Sequence, residues 1–427
     1  MAKSKEKKEI LQSPKGMHDI LPSEYPTWER IKRAAREIAS FYNFFPIETP
    51  LLEHAELFLH SVGETTDIVE KQMFSVTTKG KEHLVLRPEG TAPVARAYIE
   101  HGLSQLGLPL KLFYEGPMFR YEQPQAGRTR QFYQMGCEIL SGEDDPIYDA
   151  QVILVLFRFL ESLKIKGLAI RVNSIGCKVC RPLYRRQLQG YYRNLKSKLC
   201  SDCLRRLEVN PLRLLDCKVL GCEELRKDAP IIIDHLCEGC HRHFKSVLEY
   251  LEELKTPYGL DHHLVRGLDY YSKTVFEVEG EGFSSALASG GRYDYLVELL
   301  GGKATPGVGW AVSIERIIEV MKVQNIVLAP RTKPKVFLIY IGELAKRRSL
   351  LLIEVLRKSN IDVAESLGRE SLRAQLRAAD RLGSPLALIF GQKEAFEESI
   401  IIRDLRSGVQ ETVPLTKMVE AIKKKLK

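Results

Sequence analysis

The sequence of 427 residues has no apolar segment long enough to cross a membrane. Its first nine residues, MAKSKEKKE, are charged and no apolar core follows them, so a secretory signal is not expected. Both absences predict a cytoplasmic protein. With 44% hydrophobic and 28% charged residues, the chain has the composition of an ordinary globular protein, and its length suits two or three domains.

Cysteine is nearly absent outside one region, because eight of the nine cysteines fall between Cys177 and Cys240. The eight form four closely spaced pairs: Cys177 and Cys180, Cys200 and Cys203, Cys217 and Cys222, and Cys237 and Cys240. In a cytosolic protein such pairs indicate metal binding rather than disulfides, and eight thiolates would suit two zinc sites. The sequence leaves open which pairs combine, and whether these are instead buried free thiols.

Excess charge is lacking over most of the chain. The formal net charge is +9, and residues 331–427 hold 20 Lys plus Arg against 12 Asp plus Glu, a surplus of 8. A basic C-terminal part beside a nearly neutral body favours a polyanionic partner held away from the chemistry. The alternative is a contribution to solubility alone.

The C-terminal part follows a linker at residues 330–334 and alternates apolar strands with helical segments, which predicts an α/β domain with a mostly parallel sheet. One of its helices carries arginines at every fourth position, and they therefore share a face: Arg369, Arg373, Arg377 and Arg381. That face is either solvated or a contact for RNA.

The stretch from Phe113 to Glu138 reads as two strands joined by a polar loop. In the second strand Gln134, Gly136 and Glu138 share one face, because strand side chains alternate. A core strand would not align Gln, Gly and Glu, so this face either meets water or holds a polar ligand, and the glycine would leave room for one. The alternative is an exposed hairpin with charged edges.

Other polar residues stand at the ends of apolar strands. Glu89 and Thr91 follow the strand that ends before Pro88, Arg266 opens a strand that Tyr270 and Tyr271 follow, and Arg316 lies in the first turn of a helix. The alternatives are an N-cap for Thr91 and surface salt bridges for the arginines.

These stretches together resemble one family, the histidyl-tRNA synthetases, within the class II aminoacyl-tRNA synthetases. The Thr49-Pro50 segment resembles motif 1, Phe119 to Glu122 and the following residues motif 2, and Gly307 to Arg316 motif 3. Arg266 to Tyr271 and Ser289 to Asp294 resemble the two histidine signatures. The sequence departs from the family pattern at Gln123 and Ser313.

The resemblance, which runs from Pro14 into the C-terminal domain, implies an α+β fold. A class II antiparallel sheet core flanked by helices would carry a cysteine-rich insertion and a C-terminal α/β anticodon-binding domain. The expected segments are 1–176 for the first part of the catalytic core, 177–262 for the helical insertion, 263–329 for the second part of the core and 330–427 for the anticodon-binding domain.

The implied activity is that of a histidine–tRNA ligase, which forms histidyl-adenylate from L-histidine and ATP and transfers the histidyl group to tRNA(His). ATP and Mg²⁺ are the implied cofactors, zinc is possible in the insertion, and a homodimer is expected. By their match to the family motifs, Arg266 and Arg120 would be catalytic, and Arg120, Glu122 and Arg316 would bind ATP. The remaining matched residues would bind histidine: Glu89, Gly90, Thr91, Gln134, Glu138, Tyr270 and Tyr271.

Two other functions stay open at this point. One is a catalytically silent, histidine-sensing relative of the synthetases, although such relatives usually lack the anticodon-binding module and degrade the arginine signatures. The other is a non-catalytic protein that binds zinc and RNA, which would leave the polar strand faces without a purpose.

Overall fold

The computed structural model describes residues 11–63, 66, 68–125, 127–283, 285–327, 334–366 and 371–426. The chain forms two compact units, Met1–Leu328 and Ala329–Lys427. The expected division at the start of the C-terminal domain lies in residues 328–333, outside the described ones. The finer division of the first unit into core and insertion stays a prediction.

The first unit is built on eleven described strands and ten described α-helices. In chain order the strands are β1 Phe45–Pro46, β2 Leu52–His54, β3 Phe74–Thr77, β4 His83–Leu86, β5 Leu110–Phe119, β6 Gln131–Leu140, β7 Ala169–Ser174, β8 Tyr258–Leu260, β9 Ser272–Glu279, β10 Ala288–Arg292 and β11 Gly307–Ser313. The helices are α1 Tyr25–Phe41, α2 Ala55–Val62, α3 Thr91–Glu100, α4 Ile147–Ser162, α5 Arg181–Arg193, α6 Ser201–Val209, α7 Leu220–Arg226, α8 Glu238–Glu253, α9 Leu296–Leu299 and α10 Ile314–Val323.

Eight of these strands form one sheet in the order β1-β5-β6-β11-β10-β9-β7-β8. Its central pairs are antiparallel, and only the two edge pairs, β1 with β5 and β7 with β8, are parallel. Strands β2, β4 and β3 form a smaller antiparallel sheet. The described fold therefore confirms the antiparallel core that the sequence predicts.

The central hairpin β5–β6 has the predicted alternation. Met135 and Cys137 are buried in a core made with helices α1, α4, α8 and α10. Gln134 and Glu138 lie on the opposite face of the sheet, where Gln134 pairs with Gly116 across the hairpin. The apolar face is thus covered by helices, and the polar face is left for the site.

The second unit contains five described strands and four described α-helices. They are β12 Val336–Tyr340, α11 Glu343–Lys358, β13 Val363–Glu365, α12 Leu372–Leu382, β14 Leu386–Phe390, α13 Gln392–Phe396, β15 Ser399–Asp404, β16 Gln410–Pro414 and α14 Met418–Lys425. The sheet order is β13-β12-β14-β15-β16.

This second sheet corrects the expectation of a mostly parallel one. Strand β12 pairs in parallel with β13 and β14, but β14, β15 and β16 run antiparallel. A turn at Gly408, whose φ is 74°, joins β15 to β16 directly. Because a short turn forces the next strand to run back, the last two strands cannot be parallel.

A buried ion pair fastens the large sheet to its helices. The Arg292 guanidinium of β10, fully buried, donates from Nε to both carboxylate oxygens of Asp149 on α4, at 3.0 and 3.2 Å. Burial alone would raise the pKa of Asp149, but Arg292 and His243 more than offset it and hold that pKa well below its usual range. The carboxylate is therefore ionised and strongly held in the folded protein.

No described helix combines the length and the apolar character that crossing a membrane would require.

Breaking the buried pair is expected to destabilise the first unit. Asp149→Asn leaves the Arg292 charge buried with less compensation, so the free energy of unfolding should fall by about 3–5 kcal/mol. Urea unfolding followed by tryptophan fluorescence measures this, because both tryptophans, Trp28 and Trp310, belong to that unit.

The pH dependence has a definite sign. Since the pKa of Asp149 is depressed in the folded state, the stabilisation by this carboxylate is present at pH values above its unfolded-state pKa of about 4. It is lost as the pH falls below that value.

Glu161→Gln is the control for Asp149→Asn, because Glu161 bonds to Arg158 at 2.7 Å on the surface and this bond should contribute about 0–1 kcal/mol. Equal losses in the two variants would contradict the account.

Candidate active site

A cleft of about 730 Å³ opens over the polar face of the large sheet. Most of the residues predicted for the site line it: Glu89, Thr91, Arg120, Glu122, Gln134, Arg266, Tyr270, Tyr271 and Arg316. Two predicted residues, Gly90 and Glu138, are not among its lining residues and lie behind it. Residues distant in sequence are therefore brought together.

Glu89 lies where β4 delivers the chain to helix α3. Its carboxylate accepts hydrogen bonds from the backbone amides of Thr91 and Ala92, at 2.7 and 2.8 Å. Burial nevertheless raises the pKa of Glu89. Thr91 is the first helical residue and not the N-cap, so the alternative reading of Thr91 as a cap is wrong. The N-cap residue is Gly90, and the carboxylate of Glu89 holds the first amides of the helix while the residue also lines the cleft.

Glu138 forms the floor behind the cleft. Its side chain is fully buried and accepts hydrogen bonds from the Thr91 hydroxyl at 2.7 Å and the Tyr293 hydroxyl at 2.6 Å. Burial raises the pKa of Glu138 to about 8. A side chain at Gly309, the residue opposite Glu138 on β11, would collide with this carboxyl group. Thr91 thus links Glu138 to the cleft.

Gln134 and Gly136 have different roles in β6. The Gln134 Oε1 atom accepts from the Gly90 amide at 3.1 Å and from the Tyr114 hydroxyl at 3.2 Å. A side chain at Gly136 or Gly90 would collide with the Tyr114 ring. The space above Gly136 is therefore filled by Tyr114, and the expectation that it admits a ligand is wrong.

Arg266 is held on the cleft wall by two partners. Its Nη1 pairs with Glu277, and its Nη2 donates to the Ser289 hydroxyl at 2.6 Å. Burial opposes the charge, but the carboxylate of Glu277 and the neighbouring tyrosines raise the pKa of Arg266 above its ordinary value. The guanidinium also lies 5.6 Å from the Tyr271 ring centroid. Its charge is fixed in place before any ligand binds.

Arg120 and Arg316 are held by carbonyl groups. The Nε of Arg120 donates to the Pro88 carbonyl at 2.9 Å, and the Nη1 of Arg316 donates to the Ala286 carbonyl at 2.5 Å. Burial, together with repulsion from Arg128 and Arg120, lowers the pKa of Arg316 to about 10. Cations this close are stabilised by an anion with several charges, because each guanidinium can bind separate oxygens.

Ser313, one of the departures from the family pattern, has a local structural role. Its hydroxyl accepts from the Arg316 amide at 3.3 Å and so caps helix α10. This cap sets the first turn of the helix, which carries Arg316 into the cleft. Gln123, the other departure, is exposed and does not line the cleft.

The glycine pair in β10 serves the sheet itself. A side chain at Gly290 would collide with the backbone of β11, and one at Gly291 would meet Tyr271 and the Thr274 carbonyl. These glycines therefore let the neighbouring strand and the Tyr271 side chain pack closely against β10.

Two parts of the cleft were not predicted from the sequence. Glu277, the partner of Arg266, could have been found, because it is an acidic residue alternating with buried ones in β9. The second part is a wall formed by residues of the cysteine-rich region, including Asp216, Lys218 and Arg226. No local pattern signals it, since the contact spans many residues of chain.

The eight clustered cysteines form two groups of four. Cys177, Cys180, Cys237 and Cys240 make the first thiol cluster, and Cys200, Cys203, Cys217 and Cys222 the second. In each the sulfur atoms lie within 4.8 Å of one another. Two pairs in the first cluster are 3.6 and 3.9 Å apart, and one pair in the second is 3.9 Å apart. Tetrahedral zinc with Zn–S bonds of about 2.3 Å needs sulfur atoms about 3.8 Å apart. Both clusters fit zinc, and the pairing that the sequence left open is resolved.

Comparison with known proteins gives a consistent result. The family model "Histidyl-tRNA synthetase" matches residues 16–317, and the model "Anticodon binding domain" matches residues 335–425. A protein of Syntrophotalea carbinolica named "Histidine--tRNA ligase" is 45% identical over 413 residues, covering 96% of this chain and 98% of the relative. One of Dehalococcoides mccartyi with the same name is 45% identical over 419 residues, covering 98% and 100%.

Solved structures agree. The chain is similar to the crystal structure of the apo histidyl-tRNA synthetase of S. aureus, with a TM-score of 0.81 and 33% identity over 97% of this chain and 100% of that one. A Bacillus halodurans C structure, titled as an ATP phosphoribosyltransferase regulatory subunit/histidyl-tRNA synthetase, has a TM-score of 0.64 at 24% identity, covering 90% and 99%, and shows the fold alone. The family models, the relatives and the cleft agree, and the chain belongs to the histidyl-tRNA synthetase family.

Proposed function

We propose that the chain activates L-histidine with ATP and transfers the histidyl group to tRNA(His). The observation that carries this is the convergence of Arg120, Arg266 and Arg316 on one cleft, beside a buried polar floor. A silent histidine sensor would need no such cluster of cations. The anticodon-binding model matched at residues 335–425 also favours the enzyme over a sensor.

Histidine would bind over the polar face of β6. Glu89 faces the cleft and would accept hydrogen bonds from the substrate's α-amino group, with Thr91 and Gln134 beside it. Tyr270 and Tyr271 line the side of the pocket. Glu138 would accept a hydrogen bond from the imidazole. For this the Thr91 hydroxyl, which donates to Glu138 in the structure, would have to turn away.

ATP would bind along the arginines. Arg120 would hold the α-phosphate and the histidine carboxylate, and Arg316 the γ-phosphate, since bidentate guanidinium contacts match phosphate geometry. Glu122 and Glu277 line the same cleft and offer the oxygen ligands that Mg²⁺ prefers. Mg²⁺ bound with ATP would neutralise phosphate charge.

The first step joins these two sites. An oxygen of the histidine carboxylate forms a bond to the α-phosphorus, and the bond to the β-phosphate oxygen breaks and releases pyrophosphate. Negative charge builds on the α-phosphate oxygens, and Arg266, already oriented by Glu277 and Ser289, would stabilise it without reorganising. The terminal ribose of tRNA then attacks the carbonyl and displaces AMP.

The third substrate, tRNA, is proposed to meet the C-terminal unit through helix α12. Arg373, Arg377 and Arg381 are exposed on it, as their spacing predicts. Arg369 lies outside the described residues. Phosphate contacts by such arginines would add affinity for tRNA without touching the chemistry.

A homodimer in the cytoplasm is part of the same proposal. Four large apolar side chains are exposed near the end of α1 and in the segments after it: Phe41, Phe45, Leu51 and Leu52. Their exposure favours an interface, in which a second copy of the chain would cover them.

Zinc is proposed for both thiol clusters, on the sulfur spacing given above. In each cluster one thiolate comes from a loop and three from the starts of two helices. Such a set makes a closed structural site, and zinc there would contribute to folding rather than to chemistry.

Arg266 gives the sharpest test of the proposed chemistry. Arg266→Lys and Arg266→His should lower the rate of adenylate formation by about 10² or more, because one preorganised donor to developing charge is lost. The KM for histidine should change far less. Single-turnover measurement decides, and Arg158→Lys, a surface arginine on α4, is the control. A near-normal rate of adenylate formation in a correctly folded Arg266 variant would show that another group stabilises the developing charge.

The arginine face of α12 should carry affinity for tRNA. Replacing Arg373, Arg377 and Arg381 together by alanine should weaken binding and flatten its salt dependence by up to about three units of log Kd per log salt. Arg357→Ala removes an exposed arginine from α11 of the same unit and serves as the control. Unchanged binding in the triple variant would refute the role, and pyrophosphate exchange should not respond in either.

Metal content tests the thiol clusters. Protein purified without chelator should contain about two zinc ions per chain by elemental analysis, one for each group of four thiolates. Cys177→Ser with Cys180→Ser should remove one of them. Cys137→Ser is the control, because Cys137 is buried in the core away from both clusters. Protein with no bound metal would dismiss the zinc proposal.

A further inference from the structure

One wall of the cleft comes from the cysteine-rich region. Its lining residues there are Leu215, Asp216, Lys218, Glu223 and Arg226. They belong to a short 3₁₀-helix, Pro211–Asp216, to α7, and to the loop between these two elements. The wall stands in the same cleft as Arg266 and the other arginines of the site.

The second thiol cluster is interleaved with this wall. Cys217 separates Asp216 from Lys218, and Cys222 directly precedes Glu223. The other two ligands, Cys200 and Cys203, stand at the start of α6 and do not line the cleft. A metal on these four sulfur atoms would therefore tie the wall to α6 at two points.

The wall is also tied to the segment that carries Arg266. Asn210, which directly precedes the 3₁₀-helix of the wall, donates from its side chain to the Asp269 carboxylate at 2.9 Å. The backbone amide of Asp269 in turn donates to the Val62 carbonyl at 3.0 Å. Across the wall itself, Arg226 donates to the Leu215 carbonyl at 2.8 Å. Displacing the wall would thus pull on the chain between Arg266 and Tyr271.

Packing distinguishes the two thiol clusters. Cys203, Cys217 and Cys222 belong to the same hydrophobic cluster as Tyr270 and Tyr271, which line the cleft. The first thiol cluster instead forms a small group of its own, and Leu236 packs both against it and against the larger cluster. The second thiol cluster is therefore part of the core beneath the cleft, whereas the first only borders that core.

We propose that a zinc ion in the second thiol cluster positions the Leu215–Arg226 wall and the Arg266–Tyr271 segment for adenylate formation. The metal touches no substrate, so its ligands are positioning residues. The role rests on the proposed function, because it concerns the rate of that reaction. Displacement of a reacting group by about 1 Å from a distant change is enough to cost about 10² in rate.

The test removes the metal through ligands that lie outside the cleft. Cys200→Ser with Cys203→Ser should lose one zinc ion, exchange amide hydrogens faster in residues 211–226 and 264–271, and form adenylate about 10- to 100-fold more slowly. Cys200→His is the conservative variant, since imidazole replaces thiolate in many zinc sites. It should keep the zinc, the protection and a rate within a few-fold of normal.

Cys237→Ser with Cys240→Ser is the matched control, since Cys180 of the same cluster directly precedes Arg181, which donates to the Tyr271 carbonyl. It should also lose one zinc ion, but slow adenylate formation much less, because none of the four cysteines of its cluster lies in the wall. Equal loss of rate in both double variants would overturn the proposal, as would loss of the second zinc with unchanged hydrogen exchange at residues 264–271. An inactive wild-type protein would refute the proposed function, while zinc content and hydrogen exchange still tested the wall.

Discussion

The structure depends on keeping three partly buried arginines together in one cleft. Burial and mutual repulsion lower the pKa of Arg316 to about 10, a cost that a bound polyanion would remove. Until then the guanidinium groups are held by fixed acceptors: a carboxylate and a hydroxyl for Arg266, and backbone carbonyls for Arg120 and Arg316. Positive charge that is fixed in place in this way stabilises the negative charge that develops in a transition state.

The rest of the fold supplies the rigidity that this arrangement needs. The Asp149–Arg292 pair ties the sheet to its helices, and glycines let Glu138 and Tyr114 fill the space under the cleft. The floor is therefore as closely fixed as the arginines above it. Close packing of this kind transmits a displacement of one element to its neighbours.

The sequence predicted the architecture well where periodicity or a long motif marks it. The polar face of β6, the helix that carries Arg316 and the exposed arginines of α12 all follow from local spacing. Long-range contacts could not be read in this way. The pairing of the cysteines, the wall around Arg226 and the Tyr114 ring over Gly136 depend on which segments meet in space. The second sheet was mispredicted because its last hairpin has no strong alternation.

The central claim is that this cleft activates histidine in particular. Histidine-dependent exchange of pyrophosphate into ATP by the wild-type protein tests it most directly. We expect exchange with histidine, and rates about 10⁴-fold lower with glutamine or phenylalanine, because a site built to hydrogen-bond an imidazole leaves buried groups unpaired with them. Exchange at similar rates with all three, or none with histidine, would contradict the account.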